Sequence, residues 1–116
     1  MDTLEQWVAS YKALSEPLRI RLLCLVAEAG DICVCDLVSI TGASQSMVSR
    51  HLAYLRNSGW LASRRDKLWI HYSIAHQEDK MGRDILKTLQ QHAKLSEQIK
   101  TDMDALSRLA ESTRSC

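Results

Sequence analysis

The sequence holds a single proline, Pro17, and four scattered glycines, so no linker, repeat or low-complexity segment interrupts it. No apolar run approaches the roughly 20 residues that a membrane-spanning helix needs, and a membrane partner is not expected. The opening MDTLEQWVAS carries acids where a secretory leader carries a basic cluster. The expected compartment is therefore the cytoplasm. No P-loop, no paired carboxylates and no Ser/His/Asp order stand out, which argues against an enzyme.

What is present fits one domain over residues 1–116, since 116 residues suffice for one compact core but not for two. An apolar fraction of 46% and a charged fraction of 25% are ordinary for a soluble globular chain. The net charge of +1 is uninformative, but its distribution is not. Residues 1–43 hold three Lys/Arg against six acids, whereas residues 44–74 hold Arg50, Arg56, Arg64, Arg65 and Lys67 against Asp66 alone. A basic middle third in a neutral chain is the local footprint of a polyanion partner.

Leu4, Val8, Tyr11 and Leu14 recur at helical spacing and predict a first helix. Ser15 then reads as the N-cap of a second, with Pro17 in its first turn and Gly30 as its stop. That helix is apolar nearly all round, as a central buried helix is. A third is expected over Val34–Thr41, closed by Gly42, and a fourth over QSMVSRHLAYLRNS, capped by Ser44 and stopped by Gly59. The period then changes to two: WLASRR and LWIHYSI flank Arg65-Asp66-Lys67 and read as a hairpin. From about Asp79 onward, Met81, Ile85, Leu89, Ile99 and Met103 follow steps of three and four. They predict one long amphipathic helix, or two with a break near Ser96, whose apolar face a partner chain would cover.

Two short helices joined by a glycine-containing turn, followed by a basic hairpin, predict a winged helix-turn-helix that is mostly α with a small β-hairpin wing. The outward positions of the fourth helix, Gln45, Ser46 and Ser49, are short hydrogen-bonding side chains suited to base edges in a major groove. Arg50 and Arg56 suit phosphates, and a wing tipped by Arg64, Arg65 and Lys67 can press on neighbouring backbone or a minor groove. The expected partner is double-stranded DNA.

Four cysteines without a leader suggest metal or redox chemistry rather than disulfide scaffolding. Cys33 and Cys35, in DICVCDL, are the candidates. Thiolates select soft ions, and two sulfurs on one ion at about 2.3 Å lie within roughly 4 Å of each other. On a regular helix, residues i and i+2 point about 200° apart. Joint binding therefore predicts that the start of the third helix is unwound or extended. A zinc, cadmium or lead site, or a thiol-redox switch, would use the same pair. Cys24 falls on the buried face of the second helix and reads as structural.

CVCDL, SQSMVSRHLAYLRNSGWL and LWIHYSI together resemble the arsenic-responsive repressors of the ArsR/SmtB family over about residues 10–75. The resemblance implies a homodimeric winged-helix repressor that needs no cofactor to bind operator DNA. It implies release when As(III) or Sb(III), as inducer, binds Cys33 and Cys35. It places DNA contact on Gln45, Ser46, Ser49 and Arg50, and dimerisation on the first and last helices, here through Leu4, Val8, Tyr11, Ile85, Leu89 and Ile99. The family's third cysteine position is Val38 here. A third sulfur would come from Cys116, Cys24 or an exogenous thiol, or be absent. The family's zinc pattern on the last helix is also missing, because Asp84 precedes Ile85 and Leu86 and His92 stands alone. So is the glycine common in the wing turn.

Overall fold

The computed structural model describes residues 2–111, which leaves Cys116 outside the described residues. In chain order come helices α1 (Thr3–Ala13) and α2 (Pro17–Ala29), a short strand β1 (Asp31–Cys33), and helices α3 (Val34–Thr41) and α4 (Gln45–Asn57). Strands β2 (Leu61–Asp66) and β3 (Trp69–Ile74) follow, then α5 (Lys80–His92), a 3-10 turn over Ala93–Leu95, and α6 (Glu97–Ala110). No described helix is long and apolar enough to cross a membrane.

The cap of α2 differs from expectation. Pro17 takes the first helical position, which makes Glu16 the N-cap; its carboxylate accepts from the Arg19 N–H at 2.9 Å. Ser15 instead closes α1, with its hydroxyl donating to the Lys12 carbonyl at 2.7 Å. Between α3 and α4, Gly42 adopts φ +73, the left-handed conformation that lets α3 end in one residue and α4 start after a short turn. Ser44 caps α4 by accepting from the Met47 N–H at 3.2 Å.

Leu22, Leu23, Leu25 and Val26 of α2 are completely buried, as the all-round apolar pattern requires, and Leu37, Val48, Leu52 and Leu55 close over them. Burial of aliphatic side chains at about 25 cal/mol per Å² is what holds these helices together. Arg21 of α2 reaches into this layer and donates to Asp102 of α6 through Nε at 2.8 Å and Nη2 at 3.0 Å. Asp102 is 1% exposed, and its hydrogen bonds raise the Arg21 pKa above the ordinary guanidinium value. A pair this buried costs roughly 3–5 kcal/mol when one partner is deleted.

The C-terminal segment breaks at Ser96, which caps α6 by accepting from the Ile99 N–H at 3.2 Å. The break lets α6 fold back on α2 and α3 instead of continuing α5. Ile99 is therefore only 9% exposed, buried with Met103 and Leu106 in the chain's own core. Much of the apolar face of α6, Ile99 included, is thus covered within the chain. Helices α1 and α5 are covered less: α1 buries only Ala13, and on α5 Ile85, Leu86 and Leu89 pack against the core but are only partly buried.

The sheet contains a strand that alternation alone does not reveal. β1 joins the hairpin in the order β1-β3-β2, all antiparallel, with Cys33 opposite His71 and Arg64 opposite the same His71. Three residues are too few to show a period of two. The hairpin turn is Lys67-Leu68, since Asp66 pairs with Trp69, and Arg65 belongs to β2. Trp60 lies before the wing and not in it. It is 2% exposed, and its indole N–H donates to the Ser10 carbonyl at 3.0 Å.

Candidate dithiol site and nucleic-acid interface

Cys33 ends β1 and is also the N-cap residue of α3, with φ −75 and ψ 145. Cys35 lies in the first turn of the same helix. Because only Cys33 is extended, the two side chains converge and the sulfurs stand 3.1 Å apart. The joint geometry anticipated from spacing is thus reached with half the anticipated change. One residue is extended, while Cys35 stays helical and α3 stays wound. The Cys35 N–H donates to Cys33 Sγ at 3.4 Å. Cys33 is 2% exposed and Cys35 is half-buried, so access is from the Cys35 side.

Among the described residues, no three His, Cys, Asp or Glu side chains gather as a metal-binding group. His71 turns instead toward Asp31, with Nδ1 3.6 Å from Oδ2. That carboxylate also accepts from Arg64 Nη2 at 2.8 Å, which ties one wing cation to the cysteine strand. Cys24 lies on α2. Burial pushes its thiol up to about 11, and it is 3% exposed in the core, in accord with a structural role.

Gln45, Ser46 and Arg50 are exposed on the outer face of α4 and Ser49 is half-buried there, while Val48, Leu52 and Leu55 face inward. Arg56 lies at the C-terminal end of the same helix, and Arg65 and Lys67 are exposed on the wing. Short polar side chains on α4 and cations on α4 and on the wing are thus solvent-accessible.

Sequence reasoning missed Arg19 as a structural contact. Its guanidinium donates to the Ala13 carbonyl at 2.7 Å, the Lys12 carbonyl at 3.3 Å and His51 Nδ1 at 3.2 Å. It also lies 4.1 Å from the centroid of the Tyr54 ring. One side chain of α2 thereby fixes the end of α1 to the middle of α4. No motif signals it; only the pairing of a helix end with an aromatic on α4 reveals it.

Residues 16–63, which contain α2 through the start of β2, match the family described as bacterial regulatory protein, arsR family. The chain is 42% identical over 65 residues to the arsenical resistance operon repressor of Escherichia coli K12, covering 56% of each chain. It thus spans little more than half the length of that relative. It is 40% identical over 73 residues to the HTH-type transcriptional regulator YgaV of the same organism, covering 63% of this chain and 74% of that one. The crystal structure of the AntR antimony-specific transcriptional repressor superposes with a TM-score of 0.65 at 29% identity, covering 82% of this chain and 83% of that one. A helix-turn-helix followed by a β-hairpin, built on these matched residues, is the winged-helix fold. The chain belongs to the arsR family of bacterial regulatory proteins.

Proposed function

We propose that the chain is a transcriptional repressor that binds a two-fold-symmetric operator as a homodimer in the cytoplasm and releases it when As(III) or Sb(III) binds the Cys33 and Cys35 thiolates. The observation that carries this reading is the 3.1 Å approach of the two sulfurs at the seam between helix-turn-helix and wing. Two soft donors at that separation fit one thiophilic ion. Cys33 is the last residue of the wing's third strand and the cap of α3, so an ion there acts on both DNA-facing parts. Names support the inducer class: one relative is an arsenical resistance repressor and one structural neighbour is antimony-specific.

The reading assigns base edges to Gln45, Ser46 and Ser49 and phosphates to Arg50, Arg56, Arg65 and Lys67. Affinity then falls steeply with salt, because each neutralised phosphate releases counterions. A third protein sulfur from Cys24 is disfavoured by its burial in the core.

The same close approach favours a second reading, a thiol-redox repressor. There, an oxidant such as peroxide takes two electrons from the dithiol, a Cys33–Cys35 bond forms, and two protons leave with the reduced oxygen.

Fluorescence anisotropy of a labelled promoter duplex, with reduced protein and then arsenite, antimonite, zinc or peroxide, separates these readings. Release by arsenite that Cys33→Ser and Cys35→Ser both abolish, with duplex binding intact, supports the metalloid reading. Release by peroxide alone supports the redox one. Variants that bind the duplex and still release it with arsenite or peroxide as wild type does remove the dithiol from the mechanism.

A further inference from the structure

Among the described residues, the wing apex carries the most exposed large apolar side chain. Leu68 is 84% exposed, and Trp69 beside it is 38% exposed. Leu68 takes the second position of the two-residue turn between Asp66 and Trp69. Lys67, at the first, has φ +58, a conformation strained for any residue with a Cβ and free for glycine. The turn thus holds a cation and an aliphatic group at its tip at a backbone cost. The chain's own fold gives Leu68 no cover, because the core side of the sheet is occupied by Ile32, Leu61 and Tyr72.

The surroundings narrow what could cover it. A single leucine offers too little area to dock a protein, and an apolar partner would strip water from Lys67 and Arg65 nearby. Residues 44–74 present five Lys/Arg against Asp66 alone. A polyanion with an apolar gap fits: a duplex whose phosphates meet the cations and whose base stack admits one aliphatic side chain.

We propose that Leu68 is a wedge that enters the minor groove of the bound duplex and opens one base step, while Lys67 and Arg65 hold the flanking phosphates. This rests on the DNA-binding reading above and deepens it. Apolar wedges kink a duplex by roughly 20–90° toward the major groove. Pyrimidine–purine steps unstack most readily, so each wing adds a preference for such a step that no hydrogen bond reads.

The test uses full-length protein, an operator duplex with donor and acceptor dyes at its ends, and 2-aminopurine placed at successive positions under the wing. Wild-type protein raises energy transfer between the ends and brightens 2-aminopurine at one step per half-site. Leu68→Ala lowers both signals and weakens operator affinity by roughly tenfold. Leu68→Met, of similar length, restores them. An unchanged melting temperature confirms that these exposed substitutions leave the fold intact. A Leu68→Ala variant that bends and unstacks the operator as wild type does overturns the wedge. So does Leu68-dependent binding to anionic phospholipid vesicles with no effect on the duplex. If wild-type protein binds no duplex at all, the DNA-binding reading fails and the wedge fails with it. Binding without bending fails the wedge alone.

Discussion

Asp31 accepts a hydrogen bond from Arg64 at 2.8 Å although their strands are not neighbours, because β3 runs between β1 and β2. His71 of β3 pairs in register with both Cys33 and Arg64, so thiol, imidazole and guanidinium follow one another across the sheet. The cysteine strand and the wing are thus joined twice, by backbone ladder and by one carboxylate spanning it. Both side chains of the ion pair are about half exposed, and such a pair adds at most about 1 kcal/mol to stability. Its consequence belongs to coupling. Asp31→Asn is expected to leave the fold and inducer-free operator binding near wild type. It should shrink the ratio of operator Kd with and without arsenite by about threefold or more. Parallel anisotropy titrations read that ratio, and an unchanged value would mean the signal passes through α3 alone.

Arg19 leads to a different expectation. Its planar fork meets two α1 carbonyls and His51 while its face covers Tyr54, a set that a lysine cannot reproduce. A guanidinium only donates, so His51 Nδ1 is the acceptor in this contact. Arg19→Lys should cost about 1–2 kcal/mol of stability. It should also weaken operator binding more than binding to random duplex, since α4 loses its fixed angle. Equal losses on both duplexes would reduce Arg19 to a purely structural residue.

These two contacts mark where the sequence stops being legible. Periodicity and caps located α3 and α4 because Gly42, Ser44 and Gly59 punctuate them, and each apolar stripe has one period. Cys33 and Cys35 stand out from chemistry as candidates, and their spacing calls for an extended residue, which Cys33 supplies. The third strand was hidden, since Asp31–Cys33 is shorter than any pattern that could betray it. The cover of α6 was hidden too: amphipathicity says that Ile99 is buried but not by which chain. Arg64 looked like a free wing cation because its partner Asp31 is 33 residues away.

Cys24 makes stability depend on pH in a specific window. Burial raises its thiol from 9.0 to about 11, so the folded chain holds a proton that the unfolded chain releases. Its contribution is fully present below pH 9 and is lost as pH rises through about 11. The slope approaches about 1.4 kcal/mol per pH unit. Urea titrations between pH 8 and 11, with Cys24→Ala as reference, isolate it from Tyr72, whose phenol is also raised by burial. A wild-type curve parallel to that of the variant would place the thiol in contact with water.

The dimer expectation can now be divided between helices. On α1, Leu4, Val8 and Tyr11 are 62%, 57% and 51% exposed, and Ile85 and Leu89 on α5 are only partly covered. The Tyr11 hydroxyl donates to the Met81 sulfur at 3.4 Å, so the two apolar faces adjoin. A charge placed there meets water in a monomer and an apolar seam in a dimer. Val8→Glu and Ile85→Glu should therefore halve the sedimenting mass at micromolar concentration while each monomer keeps its helical circular dichroism. Ile99→Glu should do the reverse. It buries a carboxylate in the chain's own core and should lower stability by roughly 3 kcal/mol or more. Should Ile99→Glu dissociate a fully folded dimer while Val8→Glu leaves it intact, the interface would lie on α6 and not on the α1–α5 face.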